Sequence, residues 1–318
     1  MSEQPKSCHI TSIGGQAVLE GVMMRGPKEI ATAVRKSSGE IVIDKMPVST
    51  TATRLKLNKI PVVRGVFNFV SSMVTGVKCL MFSADQYDLE DDASYEPSKF
   101  EKWLDDKFGD KIKDIAIYFA VVVAVIFSVG LFMLLPHFLS SIVARFISNT
   151  VILNTCEGIF KMLIFAVYII AISRMKDIQR VFEYHGAEHK SIACYEAGME
   201  LTAENAAKCS RLHPRCGTSF LLIVMIISII FYACLPWDNT GFLLRICYRL
   251  LLLPVVAGVS YEILKIAGRS NNKIVKILTK PGLYLQYMTT REPDESQLEV
   301  ALASLKAVLT DNREDDKW

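Results

Sequence analysis

Ile115-Ala116-Ile117-Tyr118-Phe119-Ala120-Val121-Val122-Val123-Ala124-Val125-Ile126-Phe127-Ser128-Val129-Gly130-Leu131-Phe132-Met133-Leu134-Leu135 carries no charge. The run is close to the roughly 20 residues a helix needs to cross the hydrocarbon core of a bilayer. Pro136 follows and is expected to end it. Further along, Val151–Ile172, Thr218–Leu235 and Phe242–Leu264 are apolar over similar lengths. The second of the four spans contains Glu157 and Lys161, and the last contains Arg245, Arg249 and Glu262. With 51% hydrophobic residues overall, the chain reads as an α-helical polytopic membrane protein with four transmembrane helices.

The connections set the orientation. Residues 173–216 hold Arg174, Lys176, Arg180, Lys190, Lys208, Arg211 and Arg215, and residues 265–280 hold Lys265, Arg269, Lys273, Lys276 and Lys280. The 136–150 connection holds only Arg145, and 236–241 holds no Lys or Arg. Lys and Arg concentrate on the cytoplasmic side of membrane proteins. Both termini and the 173–217 loop are therefore expected in the cytoplasm. Eight cysteines without a Cys-x-x-Cys spacing fit free thiols in a reducing compartment. The first apolar run is broken by Glu20 and Arg25, so no secretory signal peptide is expected. A net charge of +3 gives no argument for specific nucleic-acid recognition.

Three regions follow: a cytoplasmic N-terminal region over 1–112, the membrane region with its loop over 113–264, and a cytoplasmic C-terminal region over 265–318. In the first, Gly14-Gly15-Gln16-Ala17-Val18-Leu19-Glu20-Gly21-Val22-Met23-Met24-Arg25-Gly26-Pro27 is rich in glycine. Glycines permit close backbone approach. The stretch reads as an irregular loop with a short helix at 16–24, or as a loop folded over a site with Glu20 and Arg25 presented to it. Ile30–Lys36 and Glu40–Lys45 alternate around Ser37-Ser38-Gly39 and predict a β-hairpin, the centre of a small α+β part. Residues 46–60 are compatible with a third strand. Pro61–Phe82 is apolar with basic ends and fits an interfacial, re-entrant or soluble core helix. Residues 85–110 read as an acidic linker with a short helix near Phe100–Phe108. Pro281–Pro293 predicts a turn and short segment. Leu298, Ala301, Leu302, Leu305, Val308 and Leu309 mark one face of a helix near 294–309, to dock on the soluble part or on lipid.

The loop carries the chemistry. Tyr184-His185-Gly186-Ala187-Glu188-His189-Lys190 places two imidazoles four residues apart, on one face of a helix expected from about Lys176 to Ala197 and stopped by Gly198. The order His-x-x-Glu-His matches the inverted zincin pattern, in which the glutamate is the general base. Thr202 caps a second short helix, and Leu212-His213-Pro214-Arg215-Cys216-Gly217 adds an imidazole and a thiol three apart. His185, His189, His213 and Cys216 together form a ligand set for Zn²⁺ or another divalent first-row metal, with Glu262 or Glu20 as a further ligand or supporting group. Three protein ligands leave a position open for water, whereas four close the site as a structural one.

At these motifs the chain resembles the YqhQ-type family of uncharacterised bacterial membrane proteins, often labelled predicted metal-dependent enzymes. The resemblance rests on Gly14–Gly26, Tyr184–Lys190, His213–Phe220, Tyr261-Glu262, Pro281–Leu283 and Thr289–Pro293. It covers about Ile10 to Val308 and implies a bacterial inner-membrane location.

Two functions compete. One is a metal-dependent membrane enzyme, with Glu188, Glu20 and Arg25 as catalytic candidates. It would be a hydrolase acting on a lipid headgroup or a peptide at the cytoplasmic face. The other is a non-enzymatic factor that meets the protein-insertion machinery or the ribosome through its basic face. A polar cavity enclosing Glu188 favours the first, and a flat basic surface the second. Membrane lipid and a homo-oligomer are the remaining expected partners. Transport is disfavoured by the absence of repeated halves.

Overall fold

A computed structural model describes residues 9–48, 59–86, 119, 122–235, 242–269 and 272–317. The strands are β1 (Gly14–Val18), β2 (Gly21–Arg25), β3 (Glu29–Arg35) and β4 (Ile41–Pro47). The helices are α1 (Val63–Gln86), α2 (Val122–Val143), α3 (Thr150–Ile172), α4 (Lys176–Glu196), α5 (Ala203–Ala207), α6 (Gly217–Ala233), α7 (Phe242–Arg269), α8 (Lys273–Thr289) and α9 (Glu295–Val308). By length and composition α1, α2, α3 and residues Cys247–Ala267 of α7 could each cross a membrane, and α6 is a shorter apolar helix. By this measure the 61–82 stretch joins the helices long enough to cross, and the 218–235 stretch, with 17 helical residues, falls just short.

The chain forms two compact units. The first contains residues 1–87, 169–228 and 241–318. Its centre is an antiparallel sheet in the order β1-β2-β3-β4. The predicted β3–β4 hairpin is present, with Ala33 opposite Ile43. The Gly14–Arg25 stretch is neither an irregular loop nor a helix but a second hairpin, turning at Leu19-Glu20 with Gln16 opposite Met23. Its glycines are used for close approach: a Cβ on Gly15 would stand 2.5 Å from the Met23 carbonyl oxygen. Met46 and Pro47 end β4; residues 49–58, where most of the possible third strand over 46–60 would fall, lie outside the described ones, as do residues 87–118, which hold most of the anticipated linker and its helix.

Strand alternation sends side chains to two different layers. Val18, Met23, Ile30 and Val34 pack with Cys79 of α1 on one face. Val22, Met24, Ala31 and Ala33 pack on the other with Tyr184 and Ala187 of α4 and Leu298, Ala301 and Leu305 of α9. The apolar face of α9 thus docks on the sheet. An Asp294–Gln297 capping box starts α9, each side chain bonding the other's backbone N–H. α4 stops where expected, with Gly198 beyond it at φ 70°, and the Thr202 hydroxyl caps α5 by accepting from Asn205 N–H. Residues 281–283 do not form a turn: Pro281 and Gly282 lie inside α8. A Cβ at Gly282 would fall 2.8 Å from Ser219 Oγ, so the pair lets α8 pack tightly on the start of α6.

The second unit contains residues 88–168 and 229–240. Pro136 does not end its helix. A π-helical turn at Gly130–Leu134 precedes it and α2 continues to Val143. A proline removes one backbone donor and crowds the carbonyl four residues back, and a locally wider turn accommodates both. Glu157 is buried on α3, with one carboxylate oxygen 3.5 Å from His137 Nδ1.

Candidate metal centre

α4 presents His185 and His189 on one face, their ring centroids 4.5 Å apart. Each ring is oriented by a backbone carbonyl. His185 Nδ1 lies 2.8 Å from the Thr289 oxygen, and His189 Nδ1 lies 2.6 Å from the Arg211 oxygen. A carbonyl only accepts, so both Nδ1 atoms carry a proton, which leaves Nε2 as the ligand atom of each neutral ring. The free Nε2 of His185 meets Cys216 Sγ at 3.1 Å. His189 Nε2 is buried and makes no hydrogen bond. Cys216 Sγ also accepts from the Thr218 N–H at 3.5 Å. The ligand atoms of His185, His189 and Cys216 all lie within 4.8 Å of one another. The widest pair must close by roughly 1 Å to share one first shell.

His213 is held nearby but turned elsewhere. Gln286 clamps its peptide unit, accepting from the N–H at 2.8 Å and donating to the carbonyl at 2.8 Å. Its ring centroid is 5.6 Å from that of His189. Its Nε2 stands 3.6 Å from Glu196 and 3.3 Å from Arg215, which is itself ion-paired to Glu196. Burial pushes His213 down to about 4, against the pull of Glu196, so the ring is neutral near pH 7. The pattern of single residues had no means of showing Gln286. An uncharged amide on the buried side of α8 was the available signal.

Glu188 leaves α4 on the side of β1. Its Oε1 accepts from the Gly15 N–H at 3.0 Å, and Gly15 makes room for it, since a Cβ would stand 2.9 Å from Glu188 Cγ. Burial pushes this carboxyl above the usual carboxylate range, partly opposed by His185 and the Gly15 amide. Glu188, His189, His213 and Cys216 line a cavity of about 240 Å³, together with Arg25.

Two anticipated site residues lie elsewhere. Glu20, in the β1–β2 turn, is ion-paired to Arg180, with Nη2–Oε2 at 2.6 Å, and accepts from Tyr184 OH at 3.2 Å. Glu262 on α7 binds Arg64 Nε at 2.7 Å and accepts from the Val62 N–H at 3.3 Å. It fastens the start of α1, where Val62 has φ 66°, an unusual conformation for a β-branched residue. Neither lines the cavity or joins the three-residue cluster.

Residues 60–311 match the family described as "Protein of unknown function (DUF1385)". The chain is also similar to "Uncharacterized protein YqhQ" of Bacillus subtilis (strain 168). They share 36% identity over 301 residues, or 93% of this chain and 92% of that protein. No solved structure matches it.

Proposed function

We propose that this chain, which belongs to the DUF1385 family, is a metal-dependent hydrolase whose site faces the cytoplasm at a bacterial inner membrane. One observation carries the reading. Two imidazoles are oriented by backbone carbonyls so that their lone pairs point inward beside a thiol, and one of them, His189 Nε2, is buried without any partner. A buried polar atom left unsatisfied is costly unless a ligand completes it. Carbonyl-bound Nδ1 atoms are also the usual second shell of metal-binding histidines.

His185, His189 and Cys216 are the residues that would hold the ion. Bound Zn²⁺ or another first-row cation would supply Lewis acidity and a water acidic enough to act near neutral pH. Glu188, anchored through Oε1 in the wall of the same cavity, would be the group to accept a proton from an attacking water and return it to a leaving group. His213 would join only by leaving Glu196, so the cluster favours three protein ligands and an open position. The non-enzymatic reading draws on the basic loop, but several of its cations are already paired inside the molecule. Lys190 and Arg211 bind Glu292, Arg215 binds Glu196 and Arg180 binds Glu20. A cavity lined by Glu188 beside His189 and Cys216 supports the enzyme instead.

The membrane setting rests on parity. The sheet, α4 and α9 share one hydrophobic core. The chain before α1, the chain between α3 and α6, and the chain after α8 must then lie on one side, and the crossings between them must be even in number. α2 with α3 and α6 with α7 make two pairs. α1 would make the count odd, so it lies along the membrane face. Its outward residues Val70, Met73, Val74 and Val77 are each 53% to 59% exposed, while Gly76, Cys79 and Ser83 face the sheet side. An amphipathic helix seated this way buries its apolar face in the lipid boundary.

Metal analysis of the purified full chain tests the site. The expected result is about one equivalent of a first-row metal per chain, lost in Cys216→Ser. A Cys216→Ser protein that keeps its full metal content would overturn the reading. Reporter fusions that place the two termini on opposite faces would contradict the parity argument.

A further inference from the structure

The wall of the same cavity opposite the metal cluster has no assigned use in this reading. Strand alternation turns Gly21, Met23 and Arg25 of β2 toward α1, while Gly15 of the edge strand β1 turns toward α4 and Glu188. The cavity therefore runs around the open edge of β1 near its start. Arg25 and the hydroxyl residues Ser72 and Thr75 of α1 line one side, and Glu188, His189 and Cys216 line the other. Ser12 adds a further hydroxyl at the mouth of β1.

Arg25 is the unusual member. It is half-buried, and among the described residues no carboxylate lies within ion-pair distance of its guanidinium. The other arginine of the cavity, Arg215, is neutralised by Glu196. Desolvation lowers the pKa of Arg25 below the ordinary arginine value, opposed only weakly by Tyr261. A guanidinium does not lose its proton in a protein, so the cost of burial is relieved only by an anion from outside.

Resting on the metal-site reading above, we infer that Arg25 with Ser12, Ser72 and Thr75 binds the phosphate of a phosphate-bearing substrate and holds it against the cluster of His185, His189 and Cys216. The chemistry of the donors favours phosphate over a carboxylate. A planar guanidinium fork engages two oxygens of one face, and hydroxyls arriving from two other elements suit the remaining oxygens of a tetrahedral anion. The group can belong to a lipid headgroup, entering beneath α1, or to a water-soluble phosphate ester.

The test uses the purified full chain in detergent, with metal content measured on every sample. Inorganic phosphate is titrated by calorimetry into wild type, Arg25→Gln and Arg25→Lys. Saturable binding is expected in wild type, weakened at least tenfold in Arg25→Gln and less in Arg25→Lys, at unchanged metal content. Arg25→Lys keeps the charge and loses only the fork, so it decides the matter if Arg25→Gln fails to fold. Equal phosphate affinity in wild type and Arg25→Lys, or metal-loaded wild type that binds acetate but not phosphate, would overturn the inference and leave the metal site standing. Absence of metal from wild type strikes the metal-site reading itself. Nanodiscs containing phosphatidate that displace inorganic phosphate would identify a lipid headgroup. Failure to displace it, with phosphate binding intact, would identify a soluble ester.

Discussion

His189 and Glu262 are both ionisable groups withdrawn in part from solvent, and the sequence nominated both as metal ligands. The structure treats them differently. Glu262 is saturated, with Arg64 on its two oxygens and the Val62 N–H on one of them. Glu20 is saturated in the same way by Arg180 and Tyr184. His189 has one nitrogen fixed by the Arg211 carbonyl and the other buried and bare. A half-buried carboxylate with both oxygens answered by the fold already has its partners. A buried lone pair aimed at a thiol and another imidazole waits for something the fold does not supply.

The comparison can be broken most directly at its two ends. His189→Ala is expected to lower metal affinity by more than about 100-fold, beyond what loss of a supporting group costs, measured by competition with a chromophoric chelator. Retention of wild-type affinity would place the ion elsewhere. Gly15→Ala comes next. The new Cβ meets the Met23 carbonyl oxygen at 2.5 Å and Glu188 at 2.9 Å, so about 1–3 kcal/mol of stability should be lost, read as a lower thermal midpoint. An unchanged midpoint would mean that β1 and α4 are not in contact at this point.

Tyr195 belongs with the saturated groups, since its hydroxyl donates to Asp316 Oδ2 at 2.8 Å. Burial, with Asp316, raises it to about 12 from an ordinary value near 10. Its contribution is complete below pH 10. As pH rises the unfolded chain loses this proton first, so stability should fall between about pH 10 and pH 12. In Tyr195→Phe that part of the alkaline decline should vanish, as followed by urea unfolding. The smallest effects are expected at the carboxylates. Glu20→Gln and Glu262→Gln, in partly exposed ion pairs, should each cost about 1 kcal/mol or less and leave metal content unaltered. Loss of metal in either would erase the distinction drawn above.

Much of this architecture was legible locally. The β3–β4 alternation, the stop of α4 at Gly198 and the apolar face of α9 are written within a few residues of where they act. The i, i+4 spacing of His185 and His189 likewise fixes their shared face. What escaped depends on distant partners. Gly14–Arg25 has only Val18 and Val22 as the β-branched residues that announce a strand, and it becomes a hairpin because β3 and α4 pack on it, with Gly15 meeting Glu188 from 173 positions away. Pro136 reads as a terminator, yet a π-helical turn absorbs it. Nothing near Glu262 in the sequence points to Arg64, so a saturated pair and an open ligand look alike until the chain is folded. For the same reason Arg25 could be nominated, but not seen to stand without a carboxylate partner among the described residues.

X-ray absorption at the metal edge of the purified chain addresses the central claim with least intervening inference. A first shell containing one sulfur near about 2.3 Å and imidazole nitrogens near about 2.0 Å is the predicted spectrum. A shell of oxygen and nitrogen alone, or no bound metal in a folded preparation, would contradict it.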